Sequence, residues 1–87
     1  MMSIEEVKKI VEAAMPSARV SVRDLTGTLD HFQVEVVSDA FRGKVLIDQH
    51  RMVQAPLQAA IADDRIHALT IRTYTPEQWK GNLINLE

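Results

Sequence analysis

Hydrophobic residues recur along this chain at two different periods, and each period predicts an element. Near the amino terminus Ile4, Val7, Ile10, Val11 and Ala14 repeat every three or four residues, which is the stripe of one buried helix face. Ser3 and Glu6 open that stretch as an S-x-x-E capping box, in which the two side chains satisfy two orphan backbone N–H groups. Met15-Pro16 closes it, because a residue before proline is pushed out of the α region. The period then changes to two. Ala18, Val20 and Val22 alternate with Arg19, Ser21 and Arg23 and predict a half-buried strand over 18–25. A turn over 25–30 leads to a second alternation over 31–38, with Phe32, Val34 and Val36 on one face and Gln33 and Glu35 on the other. The short connection makes the pair an antiparallel hairpin.

The middle of the chain returns to helical spacing. Ser38 and Asp39 offer caps, Val45, Leu46, Met52 and Val53 are the expected buried face, and Lys44, Asp48 and Arg51 the wet one. Pro56 lacks an N–H and clashes with the preceding turn, so a break is expected near 54–55. The same proline suits the first turn of a second short helix with Leu57, Ala60 and Ile61 inward. Asp63-Asp64 stops that helix, since acidic residues oppose the dipole at its C-terminus. A third strand is predicted over 65–73. His67, Leu69 and Ile71 share one of its faces and Ile66, Ala68 and Thr70 the other. Apolar residues on both faces predict an interior strand. The long helical connection makes the second and third strands parallel, with a right-handed crossover. Thr75-Pro76 begins a last helix, and the tail over 81–87 is expected to fray. The order is α-β-β-α-α-β-α, in a single domain over 1–87 with its core about 4–79.

Composition narrows the functional classes. Eighty-seven residues leave no room for a second core, and a chain this short buries only about two-thirds of its unfolded surface. Cysteine is absent, which removes disulfides, thiolate zinc, a self-contained iron–sulfur site and a cysteine nucleophile. The 46% hydrophobic content must hold the fold unaided. Ten basic residues against twelve acidic ones give a net charge of −2, so nucleic acid is not the default partner. No apolar stretch is long enough to span a membrane. The start, MMSIEEVKKI, lacks the regions of a signal peptide, and the expected location is the cytoplasm.

Candidate chemistry is sparse. His31, His50 and His67 are the histidines, and no two are three or four residues apart, so none forms a local helical metal pair. Read from the residues alone, His67 is a half-buried histidine bonded to backbone, His50 packs or caps locally, and His31 is a solvated loop residue. Ser3 and Ser38 read as caps, no serine sits in G-x-S-x-G, and Glu5/Glu6 and Asp63/Asp64 lie at helix ends. Gly43-Lys44 is too short a fragment for a phosphate loop. The chain is therefore read as a non-enzyme. Arg42, Lys44 and Arg51 gather around the first central helix. They can position a phosphate backbone without specifying a sequence, and Asp39 and Asp48 among them weaken the field, so a solvated helix face is the simpler reading. Tyr74 and Trp79 form an apolar pair suited to capping the core.

Specific blocks then meet this order of elements. Ser38-Asp39-Ala40-Phe41-Arg42-Gly43-Lys44 leads into His50-Arg51-Met52-Val53, followed by Ile66-His67-Ala68-Leu69-Thr70-Ile71 and Tyr74-Thr75-Pro76. F-x-G-K, H-R-x-V and I-H-A-L in this order and spacing resemble the BolA family over nearly the whole chain. Ala55-Pro56-Leu57 and Ile61-Ala62-Asp63 are similar to its IbaG-like branch. The resemblance implies an α+β, class II KH-like fold, α-β-β-α-α-β(-α), with a three-stranded mixed sheet and helices packed on one face. It implies a monothiol glutaredoxin as partner and a [2Fe-2S] cluster shared with that glutaredoxin and its glutathione, none being bound by the chain alone. The family's cluster histidines match His67 and, in the loop before the second strand, His31. Alternation sets His67 with the core and His31 opposite Phe32, so the two converge only if His31 belongs to the hairpin loop. The alternative the resemblance implies is a DNA-binding transcription regulator, which places DNA on a helix-turn-helix-like surface at Arg42, Lys44 and Arg51. The chain lacks the G-x-x-G of nucleic-acid-binding KH domains. On its own it is expected to be a monomer or weak homodimer.

Overall fold

The hydrophobic stripe of the first helix is capped as its residues predict. In the computed structural model, which describes residues 2–79, α1 spans Ile4–Ala14 and buries Val7 and Val11. The Ser3 N–H donates to Glu6 Oε1 at 3.0 Å, and the Glu6 N–H donates to Ser3 Oγ at 3.1 Å. The Glu6 carboxyl is held below the usual glutamate value, first by the Ser3 N–H and then by its hydroxyl. The tail expected to fray, 81–87, lies outside the described residues.

The two alternating stretches become β1 (Arg19–Asp24) and β2 (His31–Val37). They pair antiparallel, with Val20 opposite Val36 and Val22 opposite Val34. The connecting turn is tied to the Asp24 carboxylate. Its Oδ1 accepts the N–H groups of Thr26 and Gly27 at 3.2 and 3.1 Å, and its Oδ2 that of Leu29 at 3.1 Å. Gly27 and Leu29 supply the left-handed backbone this closure needs, at φ 76° and 61°.

The helix after β2 starts later than its hydrophobic pattern predicts. Ser38 caps a short 3-10 turn, Asp39–Phe41, and not an α-helix. Gly43, at φ 73°, then breaks the chain direction, and α2 runs only over Leu46–Gln54. Its buried residues are Gln49 and Val53. Val45 and Leu46, expected inside, are 63% and 61% exposed, and Ile47 is 58% exposed. The first turn of α2 projects from the body because the break at Gly43 shifts the start of the helix. The interruption at Pro56 falls where predicted, as a 3-10 turn over Ala55–Leu57 leading into α3, Gln58–Ala62. Asp64, at φ 64°, follows it.

β3 spans Ala68–Tyr74 and pairs parallel to β2, with Ala68 opposite His31 and Tyr74 opposite Val37. The sheet order is β1-β2-β3, so β2 is the interior strand and β3 an edge, contrary to the expectation for the third strand. The two-sided apolar pattern has a different cause. Ile66 precedes the strand and is buried, its N–H donating to the Ala60 carbonyl at 3.1 Å. α1, α2 and α3 cover one face of the sheet. Val7, Val11, Val20, Phe32, Val34, Val36, Phe41, Val53, Leu57 and Ile66 belong to one core.

One polar cluster crosses that core. Gln49 Nε2 donates to the carbonyls of Lys44 at 2.8 Å and Phe41 at 3.3 Å. Gln49 Oε1 accepts the Thr73 hydroxyl at 2.6 Å, which ties α2 to both the segment before it and the edge strand. The described chain ends in helical backbone over 76–79. A reciprocal cap opens it: the Thr75 N–H donates to Gln78 Oε1 at 2.8 Å and the Gln78 N–H to Thr75 Oγ1 at 3.4 Å. Trp79 meets Tyr74 edge-on at 5.4 Å and lines a shallow hollow with Arg19, Ser21 and Val37.

Candidate functional site

The two histidines singled out in the sequence lie at one end of the sheet. His31 is the first residue of β2 and is registered with Ala68, the first residue of β3, so His67 stands beside Asp30. Neighbouring strands are about 4.8 Å apart. The Ala68 N–H donates to the Asp30 carbonyl and the Leu25 N–H to the His31 carbonyl, each at 2.9 Å. These bonds fix both histidine backbones relative to one another.

The histidines exchange the environments read for them. His31 is not a solvated loop residue: it is half-buried and within the strand, and the loop before it is held by Asp24. His67 is exposed and lies ahead of the β3 ladder. The register sets the two backbones at one end of the sheet. The parallel register makes their backbones neighbours, since His31 aligns with Ala68, the residue after His67.

The His31 ring is oriented by a residue that sequence reasoning missed. Its Nε2 lies 2.8 Å from Thr70 Oγ1 on the adjacent strand, which leaves Nδ1 as the nitrogen free of that contact. The available signal was the parallel pairing itself. Alternation turns His31, Ala68 and Thr70 to the sheet face opposite Phe32 and Leu69. A polar partner on the second ring nitrogen is the usual way a ligating imidazole is held in one tautomer.

The donor set is small. Among the described residues, no group of three or more His, Asp or Glu side chains is placed to hold a metal ion, and the chain has no cysteine. His31 and His67 are the histidines at this end of the sheet. Imidazole is an accepted iron ligand in clusters of the Rieske kind, where two histidines replace two thiolates on one iron. His50 is elsewhere, half-buried and lining a groove with Ile71 and Tyr74.

The basic residues are less uniform than their spacing predicts. Arg42 Nε contacts Asp39 at 2.7 Å, and its other arm reaches Glu77. The Glu77 and Asp39 hydrogen bonds raise the Arg42 pKa further, and Arg42 in turn holds the Glu77 carboxyl below its usual value. Its guanidinium is thus occupied, whereas Lys44 and Arg51 are exposed and make no ion pair among the described residues.

A family model described as BolA-like protein matches residues 6–78. The chain belongs to the BolA family. It is 39% identical over 82 residues to Protein BOLA2 of Arabidopsis thaliana, covering 92% of this chain and 86% of that one. It is 36% identical over 78 residues to the Acid stress protein IbaG of Escherichia coli K12, covering 90% and 89%. The DNA-binding transcriptional regulator BolA of the same strain is 32% identical over 88 residues, covering 93% and 83%. Among solved structures, a BolA homologue from Coxiella burnetii matches with a TM-score of 0.76 at 28% identity, covering 92% of this chain and 99% of that one. The BolA-like α+β fold read from the sequence, with its three-stranded mixed sheet, is the fold observed.

Proposed function

We propose that this BolA-family protein is a non-enzymatic adaptor in iron–sulfur cluster handling, joined to a monothiol glutaredoxin through a shared [2Fe-2S] cluster. The observation that carries the reading is the pairing of His31 with Ala68, which brings His31 and His67 to the same end of two adjacent parallel strands. His67 is the exposed ligand, and His31 the one oriented by Thr70. With no cysteine in the chain, the thiolates come from the glutaredoxin and its glutathione. When bound, such a cluster supplies electron-accepting and cluster-donating chemistry, and nitrogen ligation raises its potential.

The test mixes the protein with a monothiol glutaredoxin, iron, sulfide and glutathione, and records visible and near-ultraviolet circular dichroism. A spectrum distinct from that of the glutaredoxin-only cluster is expected, and an identical spectrum defeats the proposal. His67→Ala is expected to abolish the distinct spectrum, and His31→Ala to weaken it. A His67→Ala protein that behaves as wild type removes that ligand assignment.

A second reading is DNA binding, favoured by exposed Lys44 and Arg51 on the surface around α2 and by the likeness to the DNA-binding transcriptional regulator BolA of Escherichia coli. Phosphate contacts would make such binding fall steeply with salt. A salt-insensitive titration, or one unchanged by Lys44→Ala with Arg51→Ala, counts against it.

A further inference from the structure

Among the described residues β3 has one strand neighbour, and the register shows which of its backbone groups are left over. The Ala68 N–H donates into β2, and the Tyr74 carbonyl accepts from Ser38. In a parallel ladder the N–H and C=O of one residue point the same way and alternate along the strand. Ala68, Thr70, Arg72 and Tyr74 therefore face β2, and Leu69, Ile71 and Thr73 turn their N–H and C=O outward. Among the described residues none of these six groups has a hydrogen-bond partner beyond the strand. Exposed edges of this kind are usually blunted by proline, bulges or several charges. This one carries a single arginine, Arg72.

The edge borders the projecting turn of α2. A groove of about 260 Å³ runs between them, lined by Leu46, His50, Ile71, Arg72, Thr73 and Tyr74. Leu46 is 61% exposed, with Val45 and Ile47 beside it at 63% and 58%. The three consecutive apolar residues form an exposed patch where a polar loop would be the norm. Arg72 is exposed and unpaired among the described residues, and by alternation it lies on the sheet face opposite Ile71. Asp48, the acidic residue of α2, is not among the lining residues. One groove thus offers a row of backbone donors and acceptors, an apolar wall on its helix side and, on its open side, Arg72, whose cross-strand neighbour is Glu35 of β2.

We propose that the β3 edge and the first turn of α2 form a docking groove for an extended segment of a partner protein, added to the sheet as a fourth strand. Backbone hydrogen bonds supply the affinity of such strand addition, and alternate side chains its specificity. The segment that fits is apolar at every second position, toward Leu46 and Ile71, and acidic at the intervening positions, toward Arg72. Nucleic acid fits less well. Three exposed apolar side chains do not track phosphates, and a second glycine of a G-x-x-G loop is missing after Gly43. The groove lies about 13 Å along β3 from the histidine end, at 3.3 Å per residue, so a partner could hold both ends of the strand at once.

The experiment uses the full isotope-labelled chain and the heptapeptide Asp-Val-Asp-Val-Asp-Val-Asp, with Lys-Val-Lys-Val-Lys-Val-Lys as control. Saturable shifts are expected at Leu69, Ile71 and Thr73. Their amides should gain at least tenfold protection from hydrogen exchange, while Thr70 and Arg72, already in the ladder, change little. Leu46→Asp and Ile47→Asp alter exposed positions and should retain the wild-type melting curve while weakening the peptide at least tenfold. Arg72→Glu should transfer preference to the lysine peptide. No new protection at millimolar peptide overturns the proposal. So does tighter binding of an eight-nucleotide oligothymidylate in the same groove, or protection of these amides that grows with protein concentration alone. The last two results would assign the edge to nucleic acid or to a second copy of the chain.

Discussion

Gln49 shows how much a single buried side chain can hold. It donates to the Phe41 and Lys44 carbonyls and accepts from Thr73. Replacing it by leucine strands buried polar groups, each at about 1–3 kcal/mol. Gln49→Leu is expected to lower the unfolding free energy by that order, read as a lower urea midpoint at unchanged slope. Adding Thr73→Val should then cost less than it does alone, since the hydroxyl has already lost its acceptor. Thr70 acts through His31. Thr70→Val should alter stability by no more than about 1.5 kcal/mol, the net worth of one hydrogen bond. On the proposed function it should shorten the lifetime of the mixed cluster at least tenfold, the usual penalty for losing a group that orients a ligand. Thr70→Ser keeps the hydroxyl and should restore it. Neither Gln49 nor Thr70 was legible in the sequence, because a polar residue in an amphipathic pattern reads as solvated until its cross-strand neighbour is known. His31 and His67 were named from family blocks, but their surroundings were inverted. Alternation assumes the residue is inside the ladder, and the ladder begins one residue after His67.

Elements were most legible where local chemistry and periodicity agree. The capping box of α1, the β1–β2 alternation and the break at Pro56 all fall as read. The start of α2 does not, because helical spacing continues through a glycine whose left-handed backbone stops the helix physically. The edge position of β3 was hidden for a different reason: a one-dimensional pattern cannot tell burial under helices from burial between strands. The α1 cap carries a pH signature. The Glu6 carboxyl is more acidic in the folded chain, so the unfolded chain binds more protons and this contribution to stability rises with pH. It is complete above the ordinary glutamate pKa of about 4.3 and is lost as pH falls through the lower folded value. Asp63 beside Arg65 and Glu77 beside Arg42 act in the same direction. Glu6→Gln should flatten the melting temperature profile below about pH 4.3, with a small amplitude because the group is exposed. Ser3→Ala should cost about 1 kcal/mol, measured by chemical denaturation.

The whole molecule depends on β2. Phe32, Val34 and Val36 are fully buried on the interior strand, and both other strands pair with it. Phe32→Ala is expected to destabilise by about 3–5 kcal/mol, a large share of the roughly 5–15 kcal/mol available to a small domain. Phe32→Leu should cost less, and denaturation midpoints separate the two. The same strand begins with His31, so the core and the candidate centre fail together. The parallel pairing of β2 with β3 also sets when that centre exists. The hairpin of β1 and β2 can close locally, but the contact from His31 to Thr70 spans 39 positions and must wait for the entire crossover. Contacts this distant in sequence form late, after the entropy of the long loop has been overcome. A ribosome-bound or clipped chain that stops before Ala68 lacks the strand whose pairing sets His67 beside β2. On the proposed function, competence to share a cluster is a property of the finished chain, and the topology itself acts as the checkpoint.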